Sequence, residues 1–429
     1  MALTRRFDAI LRALENRNYR IYTIGNICSH FGMWAYRIAL QWLTWQLTGS
    51  AFWLGAIAMA DLFPTVILAP IAGAVTERVN RLGMMRFSML FTTLQATTLA
   101  VLCFTGHISI WIVFTLTLLL GLVLAFNHPV RLVIVPNMVE RETLASAVAI
   151  NSLVFNIARV AGPSIAGGII AAAGEGAAIA GAGIVFAFNA AANAVFTGAL
   201  SLFMVALTRQ LLPRSTASLG AIPDEIVEGF RYAARHAGIG PLLAILFIVG
   251  LSARTYIDLF AGFVDRVYGL GPEALGLLTS SVGLGAVIGG LWLAQRGEIE
   301  GLTRIVLSNI VLLALVLVVF TATDIFWLGL VCVFVAGFSM TAAGTGEHTL
   351  IQAAVDEHMR GRVVSLYGAV SRGCPSLGAL IMGYIGDRVG LRWPVAGGAV
   401  LCIGLWLWAF TRRKRLAAAL ETAPADRGH

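Results

Sequence analysis

The chain is 429 residues long, 58% hydrophobic and only 12% charged. A soluble domain is about 25% charged and keeps its exposed apolar patches small, so these figures exclude a soluble enzyme, a disordered chain and a fibrous repeat, and point to a polytopic membrane protein. The formal charge is +8, carried by 29 Arg and a single Lys, Lys414. That excess raises nucleic acid as a partner until the charges are placed.

The opening segment, MALTRRFDAILRALENRNYR, has no apolar core or small-residue cleavage site of a signal peptide. It reads as a short basic amphipathic helix at a membrane surface. A helix crossing the hydrocarbon core takes about 20 residues. Apolar runs of that length place spans at 19–47, 51–75, 84–105, 109–135, 144–172, 177–207, 241–268, 272–295, 302–322, 325–353, 363–386 and 393–411. This is an all-α integral membrane protein of twelve spans, with no room for a large soluble domain.

The 208–240 connection is the longest. Its PDEIVEGFRYAARH stretch repeats Ile226, Phe230 and Ala233 or Ala234 at helical spacing, which predicts a surface-lying helix. The chain thus divides into a six-helix bundle at 1–207, a cytoplasmic linker at 208–240 and a second six-helix bundle at 241–429. The halves echo each other. VPNMVERETLASA then RVAGPSIAGG in the first is matched by AAVDEHMRGRVVS then RGCPSLGAL in the second, offset by 212–216 residues. Repeats of this kind build many secondary transporters, with the substrate site near the midplane.

Basic residues set the orientation. Of the 30, 22 fall on the side of the two termini, three (Arg266, Arg388, Arg392) on the other, and five within spans. Both termini are expected in the cytoplasm, and nucleic acid is dropped as a partner. The lipid bilayer and a small-molecule substrate remain, with a monomer expected. The five Cys all lie in apolar segments without a CxxC pair, so neither a disulfide framework nor a metal site is indicated.

Three motifs carry a resemblance. The loop after span two runs from Gly73 through Glu77-Arg78-Val-Asn80-Arg81. It resembles the signature loop of the major facilitator superfamily, with Glu77 for the usual Asp and Asn80 for the usual Gly. Span five carries Arg159-Val-Ala-Gly162-Pro163-Ser-Ile-Ala-Gly167-Gly168, similar to the Gly-Pro motif of exporters in that superfamily, with Ala166 where Gly is preferred. TLIQAAVDEHMRGRVVSLYGAV, GLVLAFNHPVRLVIVPNMV and GMWAYRIALQWLTWQLTGS together resemble the enterobactin-exporter-like branch, to which some drug efflux proteins belong. The resemblance implies two pseudo-symmetric six-helix bundles in the major facilitator fold. It also implies a cytoplasmic latch in which Glu77 and Arg78 meet the N-terminus of span eleven, where a helix dipole favours an anion. One departure is that Glu347-His348 stands before Thr-Leu where the branch has Asn.

Ionisable residues inside spans are costly and face the bundle interior. They are Arg37, Asp61, Arg131, Arg159, Arg254, Asp258, Asp265, Glu347, His348 and Arg372. Arg37 and Asp61 lie at similar depth on adjacent spans, and Arg254 and Asp258 are spaced i, i+4 on one helical face. Each pair reads either as structural or as a proton site emptied and filled by loss of its Arg partner. Asp61 and Asp258 lie nearest mid-membrane, whereas Asp265 is near the outer end. Arg131 and Glu347 are repeat-equivalent and opposite in sign. They form either a cytoplasmic gate or two separately snorkelling groups. Arg159 and Arg372 precede the two Pro motifs (Pro163, Pro375) and bond freed carbonyls or line the cavity. His348 is a titratable group or a packing residue. Trp34, Tyr36, Trp42, Tyr256 and Phe260 suit an aromatic ligand, although lipid-facing aromatics are commoner.

No ATP-binding loop, zinc spacing or hydrolase elbow is present. Gly283-Leu-Gly285-Ala-Val-Ile-Gly289 lies within a span and reads as small-residue helix packing. The sequence therefore points to a proton-coupled exporter of small amphipathic, siderophore- or drug-like molecules in a bacterial inner membrane, working by alternating access without a cofactor and without enzymatic activity. Uptake or uniport of a metabolite, lipid movement, and a non-transporting receptor or accessory role are the alternatives.

Overall fold

A computed structural model describes residues 14–76, 79–134, 138–174, 176–203 and 222–421. Among these the structure is helical throughout, without a strand. The long helices match the twelve expected spans in order. Spans one to six are Arg17–Thr48, Ala51–Thr76, Arg81–Thr105, Ile110–Ile134, Leu144–Ala172 and Ala178–Phe203. Span seven is broken. It consists of Ile239–Ser252, a 3-10 segment Arg254–Leu259, and Phe260–Arg266. Spans eight to twelve are Pro272–Arg296, Leu302–Ala322, Phe326–Ala354, Arg360–Val389 and Arg392–Thr411. Ten of the twelve are long and apolar enough to cross a membrane. The other two, spans one and eleven, run to 32 and 30 residues and carry more polar side chains.

The residues sort into two compact units. One holds Met1–Thr48, Ile67–Ala217 and Gly271–Gly276; the other holds Gly49–Val66, Ser218–Leu270 and Leu277–His429. Span two thus gives its first half to the second unit, and span eight its first residues to the first.

In the first unit, Tyr19, Tyr22, Leu82, Met85, Met89, Val130, Ile134, Phe196 and Leu200 form one buried apolar cluster from spans one, three, four and six. The Tyr19 hydroxyl donates to the carbonyl of Ala147, 2.9 Å away, which keeps its polar end satisfied within that core. Arg86 closes the end of span six by donating Nε and Nη2 to the carbonyl of Leu200, at 2.9 and 2.6 Å. Gly167 and Gly276 let span five approach the start of span eight. A Cβ on either would come within 2.5 Å of a backbone carbonyl, that of Pro272 or Pro163 respectively.

The second unit is packed by the same device. Gly285, Gly289 and Gly337 bring spans eight and ten backbone to backbone. That confirms the helix-packing reading of the glycine run from Gly283. Gly55 and Gly383 do the same for the first half of span two against span eleven, and Gly378 for span eleven against span seven. Tyr256, Phe260, Phe263, Tyr268 and Phe320 form an aromatic cluster between spans seven and nine, with ring centroids 5.0–6.4 Å apart. Tyr36, Trp42, Tyr256 and Phe260 are all buried within their bundles, so the lipid-facing explanation for them is replaced by core packing. The large exposed apolar side chains are others, such as Trp111, Leu153, Trp327 and Trp393.

The linker helix forms where the sequence places it, at Ile222–Arg235. Its inward residues are Gly229, against Arg362, and the buried Ala233, while Phe230 is 63% exposed. The Tyr232 hydroxyl accepts from the backbone of Asp356 at 3.1 Å, and Glu228 pairs with Arg362 at 2.9 Å, which fastens the helix to the start of span eleven and the loop before it. The amphipathic opening segment lies largely outside the described residues.

Candidate functional site

Span seven supplies the feature that periodicity could not reveal. In a 3-10 turn four residues advance about 120° beyond a full circle, so residues i and i+3, not i+4, share a face. Arg254 and Asp258 both lie in the 3-10 segment. The common face expected from α-helical spacing is therefore absent. The charge of Arg254 also acts on Glu347 of span ten.

Glu347 is 2% exposed, among the most buried charged groups of the described residues. Arg254 reaches it by lying against Gly344, one turn earlier on span ten; a Cβ there would stand 2.6 Å from Nη2. Tyr367 of span eleven completes the group. Its hydroxyl donates to the carbonyl of Gly344 at 2.8 Å and sits within the electrostatic reach of both Glu347 and Arg254. His348 packs against the Tyr367 ring, tilted by 39° with centroids 5.0 Å apart, and its Nε2 is 3.4 Å from Nε2 of Gln352. Three spans thus converge on one buried acid. Tyr367 was not singled out from sequence. A phenol within an apolar run is the signal that would have found it, since such a hydroxyl needs a partner.

The first unit holds a second polar group. Arg131, near the end of span four, directs Nη1 to Asn26 Oδ1 at 3.5 Å and Nη2 to Ser29 Oγ at 3.4 Å, with Met89 Sδ at 3.5 Å. The ring of Phe196 lies 5.7 Å beneath. The acceptors belong to a neutral chain of amides and hydroxyls. Ser29 donates to Asn193 Oδ1 at 2.9 Å, Asn193 to Asn189 Oδ1 at 2.8 Å, and Asn26 to Asn151 Oδ1 at 3.4 Å. Further along span one, Trp34 carries two cations, Arg37 at 5.4 Å and Arg159 at 5.8 Å from its ring. Gly162 makes room for that contact; a Cβ on it would meet Cβ of Trp34 at 2.8 Å.

The remaining sequence-derived residues fall as follows. Glu77 and Arg78, the latch pair, lie outside the described residues. Gly73 lies in the last turn of span two, and Arg81 opens span three behind Asn80, whose side chain accepts from the backbone of Gly83 at 3.0 Å. Asp61 lies in the portion of span two that belongs to the second unit and Arg37 in the first. Arg131 and Glu347 likewise belong to different units. Pro163 and Pro375 sit inside spans five and eleven without ending them, and Arg372 is exposed on span eleven.

One polar contact escaped the sequence reading altogether. Asp387, at the end of span eleven, accepts from the backbone of Ala51 at 2.6 Å and of Phe52 at 3.1 Å, and from the hydroxyl of Ser50. It therefore caps the N-terminus of span two. The signal was present in the chain. Gly383, Asp387, Arg388 and Gly390 repeat the spacing of Gly73, Glu77, Arg78 and Asn80.

The comparisons agree with this architecture. Residues 9–427 match the family described as Transmembrane secretion effector. The chain belongs to that family and is a transporter of the major facilitator superfamily, not an enzyme. It is similar to the Staphyloferrin A transporter of Staphylococcus aureus (24% identity over 390 residues, 90% of this chain and 94% of that protein). It is also similar to the Multidrug efflux pump Tap of Mycolicibacterium fortuitum (26% over 367 residues, 83% and 86%). The Enterobactin exporter EntS of Salmonella choleraesuis matches over 277 residues at 27% identity, 63% of this chain and 61% of that protein. Among solved structures, the nucleoside transporter NupG superposes with a TM-score of 0.69 at 11% identity, over 93% of this chain and 99% of that one, which establishes the major facilitator fold.

Proposed function

We propose that this transporter is a proton-coupled exporter of small amphipathic molecules, siderophore- or drug-like, in the bacterial cytoplasmic membrane. It works by alternating access as a monomer, with both termini cytoplasmic and no cofactor beyond the proton-motive force. The observation that carries the reading is the buried Glu347 on span ten, one turn from the Gly344 against which Arg254 of the broken span seven lies. A carboxylate inside a helix bundle is costly as an anion, and a nearby cation offsets part of that cost. If the Arg254 segment withdraws during the transport cycle, protonation relieves the isolated charge. Broken spans are where transporters place substrate and ion sites, and the 3-10 segment gives Arg254 a hinge. Tyr367 offers a hydroxyl beside the acid for proton passage. Export is supported by the Gly162-Pro163 motif and by the efflux and export functions of Tap and EntS.

Everted membrane vesicles loaded through an imposed pH gradient test the reading. The wild type should accumulate an exported dye or siderophore only while the inside is acid, and a protonophore should abolish accumulation. Glu347→Gln should abolish gradient-driven accumulation while leaving exchange down a concentration gradient. Accumulation indifferent to the pH gradient would sink the proton-coupled reading and favour facilitated diffusion.

A further inference from the structure

Among the buried polar atoms of the first unit that have no hydrogen-bond partner, two stand one turn apart on span one, His30 Nδ1 and Trp34 Nε1. Buried groups of this kind are few in native proteins, and each calls for an explanation. Phe155 of span five ties them together, with its ring 5.4 Å from His30 and 5.8 Å from Trp34, edge-on in both cases. His30 also lies within the field of Arg131.

Arg131 itself is poorly matched. Charge-assisted hydrogen bonds of a guanidinium are about 2.7–2.9 Å long, whereas its contacts to Asn26 and Ser29 are 3.5 and 3.4 Å, to neutral groups. Among the described residues no carboxylate lies within ion-pair distance of it. A cation surrounded by the helices of a membrane protein, with slack neutral neighbours, is costly unless something else completes it.

We propose that Arg131, His30 and Trp34 form the binding site for the oxyanion of an aromatic or apolar organic acid, with Phe155 holding its body. The planar fork of Arg131 suits a two-oxygen anion such as a carboxylate. Trp34 supplies a single N–H donor to the ligand, and His30 a second polar contact. Glu347 belongs to the other unit and serves the proton, so one half of the repeat recognises the anion and the other handles coupling. The physiological role of the site rests on the exporter reading, but binding is measurable without it.

The test uses purified full-length protein in lipid nanodiscs and a matched pair of probes, salicylate and its neutral analogue salicylamide, titrated by calorimetry at constant pH. Wild type should bind salicylate at least about tenfold more tightly than salicylamide. Arg131→Gln should erase the preference, and Arg131→Lys should retain part of it. Trp34→Phe should weaken salicylate binding. Because Arg131 gives up no ion pair, unliganded Arg131→Gln should unfold at a temperature no lower than wild type, which separates a site residue from a structural one. Equal binding of the two probes, no saturable salicylate binding, or a preference that survives Arg131→Gln overturns the proposal. If transport proves independent of the pH gradient while the preference still follows Arg131, the exporter reading falls and the anion site stands. If efflux is proton-driven but the preference is missing, the anion site falls alone.

Discussion

At the scale of single residues, the proposed function rests on the places where apolar runs are interrupted. Glu347, Arg254 and Arg131 were visible in the sequence because an ionisable side chain within a span is expensive. Their partners were not, because hydropathy says nothing about which face of which neighbour a side chain meets. Tyr367 and His30 carry apolar bulk and a small polar tip, so they pass as core or lipid-facing residues until contacts are known, and Trp34 stood out only as a possible aromatic contact. Gly344 shows the same limit. Its lack of a side chain is what lets Arg254 lie against span ten. Gly344→Val should push the guanidinium away from Glu347 and lower gradient-driven transport by about tenfold or more, without loss of protein from the membrane. Gly368→Ala, where a Cβ meets nothing within 4 Å, is the control and should leave transport unchanged.

At the scale of elements, the spans were legible to within a few residues because about 20 apolar residues in a row leave little alternative. The exception is span seven. Its run is apolar up to Arg254 apart from Gly250 and Ser252 just before the break, and those two residues alone do not predict a change to 3-10 geometry. The break belongs to tertiary packing, which overrides local preference. Helix ends were less legible than helix middles. The Asp387 cap on span two joins residues 336 apart in sequence, and caps of this type stabilise by about 1 kcal/mol. Asp387→Ala should lower the thermal unfolding midpoint by a few degrees; Asp387→Asn, which still accepts, should lose less. Close helix packing is far less forgiving. Gly276→Leu would drive a side chain into the backbone carbonyl of Pro163 and should leave little folded protein by size-exclusion chromatography, whereas Glu228→Gln breaks only a partly exposed ion pair and should shift unfolding very little.

At the scale of the whole molecule, the +8 charge underlies the proposed sidedness. The basic cluster after span twelve illustrates how it is anchored. Arg412 lies 4.7 Å over the ring of Trp408 and Arg413 4.0 Å over Phe410, so each cation rests on an aromatic ring at the end of the apolar run. Glu421, at the end of the short helix Arg413–Leu420, turns back to accept from the backbones of Gly301 and Thr303, both at 2.8 Å, and so fixes the start of span nine. Alkaline phosphatase fused after Glu421 should be inactive in cells, and a fluorescent protein fused there should fold and emit. The reverse pattern would invert the topology read from the arginines. Glu421→Ala, by contrast, should leave topology intact and lower only thermal stability.

The cysteines have a practical consequence of their own. Cys103, Cys332, Cys374 and Cys402 are buried, and only Cys28 on span one is half-buried. In the resting molecule a maleimide should therefore react slowly, with Cys28 first. Cys374 sits beside Pro375 with its Cβ against Gly250 of span seven, so it is shielded only while those two helices stay pressed together. Its labelling rate thus gives a clock for their separation. A rate that rises under a pH gradient would time the opening of span seven with no engineered probe.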